Sequence, residues 1–239
     1  MAYLSRTEMA ALLSDETPAA RRNDELRILC QGTDITEAHI DRARLLISQG
    51  ADVSGAVGSK SLMYASRGFS RGSVAMVSVL IEAGADVNLK PTESAFSNST
   101  ALSLAICNFI TTERRLTCFK IVHQLLRAGA SLDAIYFSSS AEHHLQQQEN
   151  YIRSIAPLRV EDEPGWEWLM ACKEMIHGVR AAGGWRAYAK LPRKQVLVWR
   201  SLALRGRAEP RDKLIEFVVK SPNEIAWNVL AYWRTDLDV

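Results

Sequence analysis

The chain has 239 residues, of which 47% are hydrophobic and 23% charged, with a formal net charge of +2 at pH 7. This composition is typical of an ordinary soluble globular protein with a sizeable core. No apolar run approaches the roughly 18 to 20 residues needed to cross a bilayer, and the first residues include acids, which a signal or transit peptide avoids. We therefore expect an intracellular protein that does not span a membrane, located in the cytoplasm or, as the alternative, peripherally on an organelle complex.

Three segments in the first part of the chain share one pattern. Residues 45–54 read LLISQGADVS, residues 79–88 read VLIEAGADVN and residues 124–133 read QLLRAGASLD. In each, an apolar helical turn is followed by glycine, a small residue and a short extended stretch. Because glycine takes the left-handed conformation at a helix end without a Cβ penalty, we expect a helix to stop at each glycine. These glycines are Gly50, Gly84 and Gly129.

The spacing of the segments and the sequence upstream of them point to a repeat family. The glycines are 34 and 45 residues apart; the first spacing is close to the period of about 33 residues of ankyrin repeats, and the second needs an insertion of about a dozen. Residues 100–105, TALSLA, resemble the family's T-P-L-H-x-A signature, with Ala101 in place of proline and Ser103 in place of histidine. Residues 61–66, SLMYAS, are a weaker copy. The chain thus resembles ankyrin-repeat proteins over residues 22–133.

This resemblance implies an all-α fold, a solenoid of three to four helix-turn-helix units. The first copy lacks the Thr-Pro-Leu-His element and is more polar, as an N-terminal cap should be, and residues 1–21 are predicted to add a helical cap. We expect Thr100 to cap its helix, and the small Ala65 and Ala105 to let paired helices approach closely. Insertions in such a stack often lie on the face that binds partners. Here they occupy residues 97–99 and 109–117.

Residues 134–184 are predicted to form a degenerate fourth repeat with a long insertion. Its first helix is placed at residues 139–155, and its second begins at residue 166 after a long loop. The second helix is expected to stop at Gly183 or Gly184.

Residues 185–239 depart from the repeat pattern and are predicted to form a basic, tryptophan-rich helical region. From residue 176 to residue 213, ten Lys or Arg stand against two acids. Short helices are expected up to Gly206, over residues 211–220, and again with Ser221 as the N-cap. The exposed end of a repeat stack needs covering, so we expect these helices to cap the repeats, with contact to a partner as the alternative.

The C-terminal region carries two further resemblances. It is similar to the segment attached to ankyrin repeats in a group of proteins from unicellular algae and related protists. In the order of its helices it also loosely resembles the SOCS box, which follows ankyrin repeats in some ubiquitin-ligase adaptors. The SOCS box has a cysteine shortly after its leading leucine, whereas residues 197–205 read LVWRSLALR without one.

The sequence lacks the common signs of catalysis or metal binding. It contains no GxSxG, HExxH or GxGxxG motif and no Gly-rich phosphate loop with a following Lys-Ser/Thr. The four cysteines stand alone, without a CxxC pair. The adjacent His143 and His144 point about 100° apart on a helix and cannot share one ion. We therefore predict a protein that is not an enzyme and that needs no cofactor or metal.

The resemblance to ankyrin repeats implies that the partners are other proteins, bound through hairpin tips and first helices. The candidate contact residues on the repeats are Arg67, Phe69, Arg71, Lys90, Phe96, Asn98, Tyr136 and Phe137. Each of these could equally be a solvent-facing loop residue.

The basic C-terminal region adds a second set of candidate contacts, Arg186, Arg193, Lys194 and Arg200. They could neutralise the phosphates of a nucleic acid, with nearby aromatic residues stacking on bases, or bind an acidic protein surface. The isoelectric point near 8.4 is below the value of about 9 typical of a dedicated nucleic-acid domain, so we favour the acidic protein.

Two functional hypotheses follow. The chain is either a scaffold or accessory subunit of a larger protein assembly, or an adaptor that binds an acidic partner or nucleic acid through its C-terminal region. A ubiquitin-ligase adaptor of the SOCS-box kind is a further form of the second hypothesis.

Overall fold

The computed structural model describes residues 17–54, 58–90, 99–109, 112–133, 139–156, 160–207, 209 and 213–232. The helices are α1 Pro18–Gln31, α2 Glu37–Ser48, α3 Gly58–Ser66, α4 Ser73–Glu82, α5 Ala101–Cys107, α6 Thr112–Arg127, α7 Ala141–Ile155, α8 Trp166–Ala182, α9 Trp185–Tyr188, α10 Leu191–Leu204, α11 Lys213–Lys220 and α12 Asn223–Tyr232. This confirms the prediction of an all-α fold. Within these ranges, no helix is long and apolar enough to cross a bilayer.

The chain divides into two compact units, Met1–His177 and Gly178–Val239. In the first unit the helices form consecutive pairs, with α1 packed on α2, α3 on α4 and α5 on α6. Helices α1, α3, α5 and α7 stack in one row, and α2, α4 and α6 stack in a second row. This arrangement is the predicted helical-repeat solenoid. Helix α1 begins at Pro18 and therefore spans the predicted boundary between cap and repeats, while residues 1–16 lie outside the described ranges.

A fourth pair, α7 and α8, follows the first three. The ring centroids of Trp168 on α8 and Phe119 on α6 are 5.5 Å apart. Lys173 of α8 donates to the carboxylate of Glu149 on α7, which also accepts from Arg153 at 2.8 Å. The hydrogen bond from Lys173, with a smaller contribution from Arg153, holds the pKa of Glu149 below its ordinary value. Burial of the side chain acts in the opposite direction and raises this pKa, but by less. The ionised Glu149 therefore joins α7 to α8.

The repeat glycines end their helices as predicted. Gly50, Gly84 and Gly129 have φ angles of 89°, 90° and 93°. In each case the glycine N–H and the next N–H donate to carbonyls three and five residues back, at 2.9 to 3.0 Å, which is the Schellman arrangement. The second helix of the fourth pair ends in the same way at Gly183, whose φ is 78°. This settles the choice between Gly183 and Gly184.

The first helix of the third pair begins at the predicted cap. Thr100 Oγ1 accepts from the Ser103 N–H at 3.2 Å, and Ser103 Oγ accepts from the Thr100 N–H at 2.9 Å. Ser103 thus completes a reciprocal capping box at the position where the family signature has histidine. Ala65 and Ala105 are fully buried, in keeping with close packing of the paired helices.

One edge of the stack, which we call the glycine edge, contains the turns after the second helices. Here Asn88, at the end of the second pair, accepts from the Ser131 N–H at 2.7 Å and donates to the Gly129 carbonyl at 3.0 Å. A single side chain thus joins the second pair to the third. Asp52 occupies the same position after Gly50 as Ser131 does after Gly129. The Asp52 N–H donates to the side-chain oxygen of Asn23 on α1 at 2.8 Å.

The opposite edge, which we call the turn edge, contains the turns between the two helices of each pair. Ser70 Oγ accepts from the Ile35 N–H at 2.9 Å and so joins the second pair to the first. The backbone of Gly72 lies against Ile35 so closely that a Cβ there would overlap the Ile35 carbonyl oxygen. Arg115 is buried and donates to the carbonyl of Pro164 at 2.7 Å, which joins the third pair to the fourth.

The second unit has a small core of its own. Val196 of α10, Val218 of α11, and Ala226 and Leu230 of α12 form it. Helix α10 ends before Gly206, which has a φ of 65°, as predicted. The unit carries twelve Lys or Arg against six Asp or Glu.

The start of the last helix differs from the prediction. Helix α12 begins at Asn223, and the Pro222 carbonyl accepts the first helical bond, from the Ala226 N–H at 3.0 Å. Ser221 is not the N-cap, because its hydroxyl donates to the Phe217 carbonyl at 2.7 Å and so completes the end of α11.

Two glycines of the stack should resist substitution for different physical reasons. Gly84→Ala meets no neighbour but forces alanine to a φ of 90°, which should lower the free energy of unfolding by about 1–2 kcal/mol. Gly72→Ala has an ordinary φ but clashes with Ile35, and should cost about 2–3 kcal/mol. Urea unfolding followed by circular dichroism measures both.

Gly84→Asn is the matched control, since asparagine tolerates the left-handed conformation and should restore much of the stability that Gly84→Ala loses. Equal losses for Gly84→Asn and Gly84→Ala, or a neutral Gly72→Ala, would contradict this account of the turns.

Candidate partner-binding surfaces

The predicted contact residues of the repeats fall in different places. Arg67, Phe69 and Arg71 lie in the turn between α3 and α4, on the turn edge. Lys90 is exposed after the turn at Gly84, on the glycine edge. The other four, Phe96, Asn98, Tyr136 and Phe137, lie outside the described residues.

The turn edge holds an arginine pair on one aromatic ring. The guanidinium carbon of Arg67 lies 4.1 Å from the centroid of the Phe69 ring, and that of Arg114 lies 4.6 Å from the same centroid. All three side chains are half-buried. Because Phe69 belongs to the second helix pair and Arg114 to the third, the cluster bridges neighbouring repeats. We call Arg67, Phe69 and Arg114 the arginine cluster.

Arg114 was not among the residues predicted from the sequence. It lies in the stretch interpreted as an insertion, and its approach to Phe69 depends on how consecutive pairs stack. One feature of the sequence could have indicated Arg114. Two arginines, Arg114 and Arg115, stand near the start of a helix, where the helix dipole disfavours cations unless they have a partner. Arg115 is accounted for by its hydrogen bonds to the carbonyls of Phe109, at 3.3 Å, and Pro164.

The basic residues predicted in the C-terminal region separate into two groups. Arg186 and Lys194 are exposed and Arg193 is half-buried. Arg200, in contrast, is buried, with 8% of its surface exposed.

Arg200 joins two helices of the second unit from within. Its guanidinium donates to the carbonyls of Val218, Val219 (3.1 Å) and Ser221 (2.6 Å), and to the side chain of Asn223 at 3.0 Å. These groups lie at the end of α11 and the start of α12, where a cation satisfies the last carbonyls of a helix. Arg200 was predicted to contact a partner, and the structure places it inside the second unit, with both terminal guanidinium nitrogens donating to groups of the chain itself.

The second unit also exposes large apolar side chains. Trp199, Phe217 and Trp227 are 44%, 54% and 58% exposed. A cleft of about 510 Å³ lies between the end of α10 and α11. The charged residues among its described lining are Glu209, Glu216 and Lys220. Two of the three are acidic, unlike the uniformly basic groove that binds a nucleic-acid backbone.

The four cysteine thiols lie apart from water to different degrees, and burial raises the pKa of each. The pKa of the Cys30, Cys107 and Cys118 thiols is raised to about 12. Such thiols are protonated and poorly nucleophilic near neutral pH. Among the described residues, no three His, Cys, Asp or Glu side chains come together to hold a metal ion.

The two-row stack of helix pairs, with a left-handed glycine after the second helix of each pair, defines a helical-repeat protein. The ankyrin repeat family model matches residues 61–91, which cover α3, α4 and the turn at Gly84. The chain therefore contains an ankyrin repeat at residues 61–91, within a stack of similar helix pairs. A comparison with curated proteins finds no match.

We expect Arg200→Met to destabilise the second unit by about 3 kcal/mol, because it leaves several buried carbonyl oxygens without donors. Amide hydrogen exchange should show that α11 and α12 lose protection while the first unit keeps its protection.

Arg205→Met removes an exposed arginine from the end of the same helix and should change stability by no more than about 0.5 kcal/mol. If the two variants behaved alike, the structural role assigned to Arg200 would be incorrect.

Proposed function

We propose that this protein is a non-catalytic scaffold or accessory subunit that binds other proteins within a larger assembly. Ankyrin repeats are generally protein–protein interaction modules. The observation that carries the proposal is the arginine cluster, which lies across two repeats and leaves two guanidinium groups without a carboxylate partner among the described residues. Unpaired, half-buried arginines beside an aromatic ring are typical of binding surfaces.

The rigidity of the stack supports the same function. Asn88 on the glycine edge and Ser70 and Arg115 on the turn edge join consecutive pairs by hydrogen bonds. A surface that spans several repeats therefore has a fixed shape before a partner arrives, and less entropy is lost on binding.

A second candidate function is an adaptor that uses the second unit to bind an acidic partner or a nucleic acid. The observation that favours it is the exposure of Trp199, Phe217 and Trp227 on a unit with an excess of basic residues. Helices α10, α11 and α12 also follow one another as in the SOCS box, so recruitment of a ubiquitin ligase is one form of this adaptor.

Capture of partners from the native source by the full-length tagged chain tests the proposal. We expect specific proteins to be retained after nuclease treatment at about 0.15 M salt, and size-exclusion chromatography to place the chain in a larger complex. Recovery of nucleic acid that disappears with nuclease or with high salt would favour the adaptor that binds nucleic acid.

A matched pair of variants separates the two units. Arg67→Gln/Arg114→Gln removes the two cations of the arginine cluster, and Trp199→Ala/Trp227→Ala removes exposed apolar side chains of the second unit. Partner loss with only the first variant supports the scaffold, loss with only the second supports the adaptor, and a monomeric chain with no partner contradicts both.

A further inference from the structure

We propose that the arginine cluster binds an acidic linear segment of a partner protein, through carboxylate or phosphate oxygens. The inference rests on the proposed protein-binding function and names the chemistry that the partner presents. It assigns direct contact to Arg67 and Arg114 and a positioning role to Phe69.

The ring of Phe69 orients the two cations. A guanidinium group above an aromatic ring has one face covered, while its N–H donors lie in the plane of the group and remain directed outward. Both guanidinium carbons lie within 4.6 Å of the ring centroid, so one ring holds the two cations close together. Two oriented forks of N–H donors suit the paired oxygens of carboxylate and phosphate groups.

Four other arginines of the first unit are paired with acidic side chains. Arg27, Arg42, Arg44 and Arg153 each have a carboxylate oxygen within 3.0 Å. Arg67, Arg71 and Arg114, in contrast, have no carboxylate partner within the described residues. The turn edge therefore carries positive charge that no described carboxylate compensates.

The helices around the cluster add to this positive potential. Arg71 stands directly before the N-cap of α4, and Arg114 lies in the first turn of α6. Both helices present their N-termini on the turn edge, and helix N-termini favour anions. A cation in this position is unfavourable unless it meets a negative charge, which the chain does not supply within the described residues but a ligand can.

The cations of the turn edge are distributed over two neighbouring helix pairs. Arg67 and Arg71 belong to the second helix pair, and Arg114 to the third. Farther along, Arg115 experiences the carboxylates of Glu163 and Glu167, so the uncompensated charge ends before the fourth pair. A short acidic stretch running across two turns matches this arrangement.

Fluorescence anisotropy with labelled synthetic peptides tests the proposal on the full-length chain. The probes are three peptides of equal length, one rich in glutamate, one with phosphoserines and one with glutamines in place of the acids. We expect the wild type to bind at least one acidic peptide about tenfold more tightly than the glutamine peptide, with affinity falling as salt rises.

Arg67→Gln/Arg114→Gln should weaken binding of the acidic peptide about tenfold or more. Phe69→Leu keeps both cations but removes the ring, and should weaken binding by a smaller factor. Arg205→Gln/Arg207→Gln is the matched control, because it removes two exposed arginines of the second unit and should leave peptide binding unchanged. Thermal unfolding of each variant verifies that the stack is intact.

Equal binding of acidic and glutamine peptides by the wild type would overturn the proposal. So would unchanged binding by Arg67→Gln/Arg114→Gln, because the peptide would then not contact the two cations. A loss in the Arg205→Gln/Arg207→Gln control would place the acidic-peptide site on the second unit. If the cluster variant loses the peptide but still captures partners from the native source, the protein-binding function stands and relies on another surface. The phosphoserine and glutamate peptides separate the two sources of negative charge.

Discussion

Hydrogen bonds between consecutive helix pairs are the constraint on which the first unit depends. A single helix pair cannot bury its apolar face alone, so each pair needs a neighbour placed at a defined distance and angle. Asn88 provides this on the glycine edge with two hydrogen bonds to the next pair, and Ser70 and Arg115 provide it on the turn edge. The contact of Arg114 with Phe69 exists because these pairs are held in one register.

This constraint explains how the chain accommodates unequal repeats. The repeat glycines are separated by 34 and 45 residues, yet Gly50, Gly84 and Gly129 end their helices with the same backbone geometry. The additional residues lie between the fixed points, which are the glycine turns, the cap at Thr100 and the side chains that join the pairs. Within the second predicted insertion, residues 112–117 form the start of α6, and Phe109, Arg115 and Thr117 are buried. This stretch therefore lengthens a packed helix and does not add a surface loop.

Local features could be predicted from the sequence, whereas features that depend on tertiary contacts could not. The helix stops at the glycines and the cap at Thr100 depend on a few adjacent residues with known conformational preferences. Arg200 looked like an exposed cation because its burial depends on carbonyl groups about twenty residues away in the chain. Ser221 has a hydroxyl suited to an N-cap, but this hydroxyl donates to the Phe217 carbonyl at the end of α11. Arg114 required knowledge of the neighbouring repeat.

Amide hydrogen exchange on the Asn88→Ala variant tests most directly whether one side chain on the glycine edge fixes neighbouring pairs. We predict that the Ser131 amide and the end of α6 lose protection, while α1 and α2 exchange as in the wild type. Unchanged protection at Ser131 would contradict the account, because that amide donates to Asn88 at 2.7 Å in the structure. Uniform loss throughout the first unit would also contradict it, since the constraint acts between neighbours.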